Sequence, residues 1–315
     1  MIQLDKIKII SSLTNISNIN EDKFKTITKD GVILEQSFSM QSPFALYIEA
    51  DYEEKELVLE ITGKILKDKY PQLISIDTIN QCLQNINEMG LCHLNIEGIL
   101  RDGKVVKCDV TQDVCYPNCK ELSKSIKANV CSYQKYKAQM RGANLEISKS
   151  VQTKNCQYRL VIYDKEKEMY LATNREFLSS CQDSASLLNY FNGKIRFEMN
   201  LNSMKQIRKN LNIDNTSINA VLRSSATPIW DFINSVIDAS CTGATCHSMT
   251  EFKNMLVLEY CKKDLEKVEV LLRQYYSKNT HFSQVIKPYK TLLAQSSEEP
   301  PINIREVLKN LLVGE

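Results

Sequence analysis

The chain has 315 residues, 43% of them apolar and 25% charged, which is enough for a sizeable core and about two domains. With 9 Gly and 7 Pro it is too poor in both for a long disordered tail, and it has no apolar run of the about 20 residues that crossing a bilayer requires. A net charge of +2 excludes a generic polyanion binder, so any nucleic-acid contact must come from local patches.

Met1 to Ser11 alternates apolar and polar residues, as a half-buried strand does. Its opening, Met1-Ile2-Gln3-Leu4-Asp5-Lys6, lacks a basic segment followed by an apolar one, so a cytoplasmic protein is expected. Phe24 to Met40 holds the hairpin signal Lys29-Asp30-Gly31 between two strand-like runs. Ala45 to Ile65 reads as a strand pair turning at Asp51 to Lys55. Ile76 to Met89 places Ile76, Ile79, Leu83 and Ile86 at helical spacing and ends at Gly90. Leu94 to Val114 reads as two strands about Asp102-Gly103. Cys119 to Lys137 reads as one helix, and Ala143 to Ala172 as a second set of strands. Arg175 to Phe191 reads as a helix, Asn192-Gly193 as a turn, Lys194 to Leu201 as a strand and Met204 to Leu211 as a short helix. Helices are expected over Asn219 to Ile237, Met249 to Tyr276 and Ile304 to Leu312.

Leu57-Val58-Leu59-Glu60-Ile61 looks like Ile195-Arg196-Phe197-Glu198-Met199, and strand pairs followed by a helix occur on both sides of about residue 115. The expected fold is therefore α+β: two related half-domains whose antiparallel sheets join side by side, plus a helical C-terminal region. The expected boundaries are 1–215 for the α+β domain, with halves of about 1–115 and 116–215, and 216–315 for the helical region.

Chemistry concentrates in three strand-like segments. In Asp109-Val110-Thr111-Gln112-Asp113 the two aspartates share a strand face with Thr111. Two carboxylates so placed repel unless a cation is near, and oxygen donors suit Mg²⁺ or Mn²⁺. The plainer alternative makes Asp113 a helix cap and Asp109 a lone strand acid. In Arg159 to Glu168, Val161, Tyr163 and Lys165 share a strand face. The default there is a packing tyrosine, but the lysine ammonium could ease ionisation of the hydroxyl or neutralise a phosphate oxygen. Glu198, between Phe197 and Met199, either pairs with Arg196 or Arg208 or gives a cation a third oxygen.

A basic stretch follows the aspartates. Lys120, Lys124, Lys127, Lys135, Lys137 and Arg141 face the single acid Glu121, with Tyr133 and Tyr136 interleaved. Lysines neutralise phosphates and tyrosine faces stack on unpaired bases; the alternative is a solvated helix face. The 11 cysteines are an odd number, and neither Cys115-x-x-x-Cys119 nor Cys241-x-x-x-x-Cys246-His247 has tight zinc spacing. They read as reduced, small apolar residues. The three histidines, His93, His247 and His281, form no His-x-His pair, which excludes the endonucleases that hold metal on a His-hydrophobe-His triplet. The phosphate loop, the dinucleotide turn and the Gly-x-Ser-x-Gly elbow are also missing.

In order, Asp109-x-x-x-Asp113, an apolar run ending Tyr163-x-Lys165-x-x-Glu168, and Arg196-x-Glu198 before a basic helix resemble rolling-circle replication initiators. The pattern is similar to the phage and plasmid replication proteins of the filamentous-phage gene II/X type, and to plasmid initiators that lack the histidine triplet. The resemblance spans roughly residues 1 to 235 and rests on these short motifs. It implies an origin-specific single-strand endonuclease and strand transferase that forms a 5′-phosphotyrosine with a divalent metal, Mg or Mn. By position Tyr163 matches the nucleophile, Asp109, Asp113 and Glu198 the acidic metal cluster, and Lys165 the lysine after the tyrosine. Lys124, Lys127, Lys135, Lys137, Arg141 and Arg159 would contact nucleic acid. Lys107 stands where an arginine commonly precedes the aspartate, and Asp164 where many members have asparagine. Tyr158 and Tyr170 stand close enough to be alternative nucleophiles. The implied partners are a DNA origin, single-stranded or supercoiled, host helicase and polymerase, and a second copy of the chain, in a bacterial cytoplasm and without a membrane. A conjugative relaxase of the same type, or a non-catalytic DNA-binding regulator, is the alternative.

Overall fold

The structure is a computed structural model that describes residues 1–130, 136–149, 159–237, 248–276, 281–296 and 304–314. The first half runs through strands β1 (Leu4–Ser12), β2 (Ile16–Ser17), β3 (Lys25–Lys29), β4 (Val32–Met40), β5 (Leu46–Asp51) and β6 (Glu56–Thr62). Asp30 and Gly31 both have positive φ between β3 and β4, the backbone a tight two-residue hairpin requires. A 3-10 stretch over Gly63–Gln72 follows, then α1 (Ile79–Glu88), β7 (His93–Leu94) and α2 (Ile96–Asp102). The second half comprises β8 (Lys104–Cys115), α3 (Cys119–Ala128), β9 (Tyr136–Arg141), β10 (Asn144–Lys149) and β11 (Arg159–Asp164). It continues through α4 (Lys165–Met169), α5 (Arg175–Ser180), α6 (Ser184–Phe191) and β12 (Lys194–Leu201).

Ten strands form one antiparallel sheet in the order β3-β4-β5-β6-β1-β8-β12-β11-β10-β9, and β2 pairs with β7 separately. The order reads alike from its centre outward. β1 pairs with β6, the last strand its half gives this sheet, as β8 pairs with β12, and β1 and β8 join the halves. The fold is thus α+β with two related halves in one sheet. Strand β8 opens the second half, so the halves meet before Lys104 rather than at residue 115.

One face of the central strands is apolar. Ile195, Phe197, Met199 and Leu201 are buried on β12, as are Ile7 and Ile9 on β1. Helices α7 (Met204–Leu211), α8 (Ile218–Leu222) and α9 (Pro228–Val236) pack on β8 and β12, burying Ile207, Leu211, Val221, Leu222, Phe232 and Ile233. That burial corrects the expected boundary at 215/216, because α8 and α9 belong to the sheet's core. By contacts the chain divides into residues 1–237 with 308–315, and residues 238–307. The second unit contains α10 (Met249–Tyr260), α11 (Leu265–Arg273) and α12 (Phe282–Ser296) around Leu258, Cys261, Val268, Ile286 and Leu292. The last helix, α13 (Ile304–Val313), returns Leu308 and Leu312 to the first unit, where Gln112 Nε2 donates to the Leu312 carbonyl at 2.9 Å. Among the described residues no helix is long and apolar enough to cross a membrane.

Several expected elements differ, among them Asn219 to Ile237, which breaks into α8 and α9. Ile96–Asp102 is a helix, not a strand, because the Asn95 side chain accepts from Gly98 N and caps it. The helix from Cys119 stops at Ala128, and Tyr136 opens a strand. Arg175 to Phe191 breaks into α5 and α6, with the Asp68 carboxylate accepting from the Gln182 and Asp183 amides at the break. Met249 to Tyr276 breaks where Lys262 and Lys263 take positive φ.

Candidate active site

The other face of the central strands is polar, and cross-strand register arranges it. Tyr163 on β11 stands opposite Arg196 on β12, which stands opposite Asp113 on β8. Val161, Glu198 and Thr111 form the next line, and Arg159, Asn200 and Asp109 the third. Period-two alternation puts all nine side chains on one face. On β1 the register against β8 slips between Leu4 and Lys6, so Asp5 and Lys6 both lie between the buried Leu4 and Ile7.

The first line ends in a buried charge lock. Arg196 is fully buried, and its Nε and Nη2 donate to the two Asp113 oxygens at 2.7 and 2.8 Å. Its Nη1 donates to Asp5 Oδ1 and to the Tyr70 hydroxyl, both at 2.7 Å. Tyr70 donates on to Asp5 Oδ1 at 2.7 Å. Lys165 Nζ donates to the Tyr70 hydroxyl at 2.9 Å and also reaches Glu168. Burial opposes the charge on Asp5, but Arg196 and Lys165 outweigh it and hold the carboxyl below its usual value. Burial, with Arg196 nearby, pulls the Lys165 ammonium below its usual value.

Two expected roles are corrected here. Asp113, expected as a cation ligand beside Asp109 and Glu198, instead has both its oxygens bonded to Arg196. Lys165 does not extend the strand face. It is the first residue of α4, capped by Asp164, and is buried, with its ammonium among Tyr70, Glu168 and the Phe191 ring. Its Nζ lies 5.8 Å from the centre of the Tyr163 ring, so it supports that ring and the lock rather than presenting charge to a ligand.

Tyr163, from the first line, reaches into the remaining two. The Tyr163 hydroxyl donates to Glu198 Oε2 at 3.1 Å. Asn200 Nδ2 donates to Asp109 Oδ1 at 2.7 Å and to Glu198 Oε1 at 3.5 Å, while Arg159 Nε donates to Asn200 Oδ1. Arg159 thereby fixes which end of the Asn200 amide faces the two carboxylates. Burial first, then repulsion from Asp5 and Asp109, raises Glu198 to about 7. Burial and Asp5 also raise Asp109. Burial and the Glu198 charge push the Tyr163 hydroxyl well above its usual value.

These shifts describe two carboxylates and a hydroxyl short of positive charge. The donors are all oxygen, as a hard divalent cation prefers. Among the described residues no three His, Cys, Asp or Glu side chains converge as a ligand group. Asp109 and Glu198 are therefore the pair that fits, in keeping with Mg²⁺, which commonly takes one or two carboxylates and keeps several waters. Asp5, Tyr70 and Asn200 escaped the motif reading. The only trace of Asp5 in the sequence is the paired polar Asp5-Lys6 inside an otherwise alternating strand.

The basic stretch divides between two elements. Lys124 and Lys127 are exposed on α3; Lys137 and Arg141 are exposed on the edge strand β9; Lys135 and Tyr133 lie outside the described residues. Arg141 reaches Glu146 at 3.5 Å, and the Tyr136 ring packs edge-on against Phe232 at 5.4 Å instead of standing open for a base. Cys115 and Cys119 are free thiols, and Cys241, Cys246 and His247 lie outside the described residues. Beside Asp109, a cleft of about 150 Å³ is lined by Lys6, Lys8, Lys107, Arg159 and Asn200. No family model matches the chain, and no curated protein matches its sequence.

Proposed function

We propose that the chain is a rolling-circle replication initiator that nicks and rejoins one DNA strand through Tyr163. The observation that carries this reading is the Tyr163 hydroxyl bonded to Glu198 at 3.1 Å, beside Asp109, on the polar face of the sheet. Tyr163 Oη forms a bond to the scissile phosphorus while the bond from phosphorus to the 3′ oxygen breaks. The phenolic proton passes to Glu198 Oε2, which already accepts the hydroxyl's hydrogen bond at 3.1 Å. The leaving 3′ oxygen takes a proton from solvent and can prime a polymerase. Attack by a later 3′ hydroxyl on the phosphotyrosine reverses the chemistry and closes a strand. Asp109 and Glu198 would hold Mg²⁺ or Mn²⁺, which supplies positive charge against the phosphate oxygens. Asn200, clamped by Arg159, keeps the two carboxylates apart and oriented. The partner is a plasmid or phage origin in a bacterial cytoplasm, with host helicase and polymerase acting on the product and a second copy of the chain at the origin.

The test is a search for the covalent joint. The protein is incubated with a pool of labelled single-stranded DNA and Mn²⁺, then denatured and resolved by electrophoresis. A labelled band that survives denaturation and requires the metal is expected. If no adduct forms from any sequence in the pool, with either metal, the chain is not a nickase of this kind.

A further inference from the structure

Lys8 on β1 and Lys107 on β8 are direct cross-strand partners. Like charges in that position destabilise a sheet unless something else holds them. Glu60, also opposite Lys8, is bonded to Lys6, and Asp109 is bonded to Asn200. Arg159 closes the same cleft from β11. The cleft thus brings four cations against Glu60 and Asp109, on the same sheet face as Tyr163. Arg159 lies four residues before Tyr163 on one strand, about 13 Å at the usual rise per residue.

The relation between the halves sharpens this reading. Lys6 opposite Thr62 matches Asp109 opposite Asn200, and Lys8 opposite Glu60 matches Thr111 opposite Glu198. Glu60 therefore repeats Glu198, but a lysine replaces the metal-facing aspartate. Glu49, opposite Val58, takes the place of Tyr163, opposite Arg196. The first half repeats the frame of the reactive set without its nucleophile and with cations added.

We propose that this cleft, built on Lys6, Lys8, Lys107 and Arg159, seats the backbone phosphates of single-stranded DNA beside the scissile one. The inference rests on the nickase reading and adds the path of the strand, from Tyr163 across β12 and β8 to β1. Phosphate contacts carry no sequence information, so this site positions the strand without selecting it.

The test titrates a labelled single-stranded oligonucleotide into the full chain carrying Tyr163→Phe, which prevents covalent trapping, at several salt concentrations. Each phosphate neutralised on a single strand contributes about 0.7 to the slope of log affinity against log salt. Lys8→Gln with Lys107→Gln should lower that slope by about 1.4, each single change by about half of that, and Lys8→Arg with Lys107→Arg should keep it. Circular dichroism confirms the fold of each variant, and the single changes decide if the double does not fold. An unchanged slope in the folded Gln variants overturns the proposal. Adduct formation by the unmodified chain is scored separately. A lost slope without any adduct keeps the cleft and removes the nickase, whereas an adduct with an unchanged slope does the reverse.

Discussion

Tyr163 and Glu198 meet on the diagonal: Val161 stands opposite Glu198, Arg196 stands opposite Tyr163, and the hydroxyl crosses to the carboxylate at 3.1 Å. The position directly across from the tyrosine is held by a guanidinium with four hydrogen bonds of its own. The tyrosine is left with one acceptor, and that acceptor is the group best placed to take its proton.

Tyr163→Phe deletes only that hydroxyl. The covalent adduct should vanish while single-strand affinity stays near that of the unmodified chain, and stability should change by about 1 kcal/mol. Gel shift and denaturing electrophoresis on the same samples separate the two. An adduct of undiminished yield would move the nucleophile to Tyr158 or to Tyr170, which is 63% exposed.

Glu198→Gln should change stability with a definite sign. The carboxyl is raised to about 7 in the folded chain, so folding favours its protonated form. Its contribution is complete below the unfolded carboxyl value and is lost as pH rises through about 7. Glutamine mimics the protonated form. In chelator the variant should match the unmodified chain near about pH 4 and exceed it near about pH 8, by up to about 3 kcal/mol. Urea midpoints at the two pH values check this. A variant less stable than the parent at the higher pH would show that Glu198 is charged and satisfied without a cation.

Arg196 holds Asp5, Asp113 and the Tyr70 hydroxyl, so Arg196→Met leaves Asp113 without its cation and Asp5 without its hydrogen-bonded one. Breaking one side of such a buried set costs about 3–5 kcal/mol. Arg196→Lys should recover little, because an ammonium cannot repeat the bidentate geometry. Arg196→Met combined with Asp5→Asn and Asp113→Asn should restore much of the loss, since no uncompensated charge remains. Denaturant unfolding of the four proteins tests the account, and a negligible loss in Arg196→Met would refute it.

The antiparallel strands, and the faces shared by Asp109 with Asp113 and by Val161 with Tyr163, were legible because alternation is local and its period is two; Asp109, Tyr163 and Glu198 were joined only by the resemblance. Contacts set by register were not. Arg196 lies two residues from Glu198 and looked like its partner, yet the pairing of β12 with β8 brings it to Asp113. Asp5 reaches the lock only through the slip in β1, and Tyr70 comes from a 3-10 stretch whose apolar spacing follows no regular period. Lys165 was misplaced because the strand yields to a helix at Asp164, a change visible only as a capping side chain. Lys137 was assigned to the end of a helix because the stretch before it is amphipathic, but it stands with Arg141 on an edge strand.

The two aspartates of β8 should now behave differently, although the motif joins them. Asp113→Asn removes the charge that Arg196 chelates, so it should cost on the order of 3 kcal/mol in unfolding. Adduct yield per folded molecule should persist and should not respond to added Mn²⁺. Asp109→Asn removes a carboxyl that burial and Asp5 already push above its usual value, so charge there opposes folding once the pH exceeds that raised value. Its stability in chelator should be equal or higher near neutral pH, while nicking in Mg²⁺ is lost and partly returns in high Mn²⁺. Chelator should stop the unmodified chain outright. Paired measurements of unfolding and adduct yield on the two variants separate the roles. A fully folded Asp113→Asn chain that nicks only with added Mn²⁺ would return Asp113 to the cation site, and vigorous nicking in excess chelator would remove the cation from the chemistry altogether.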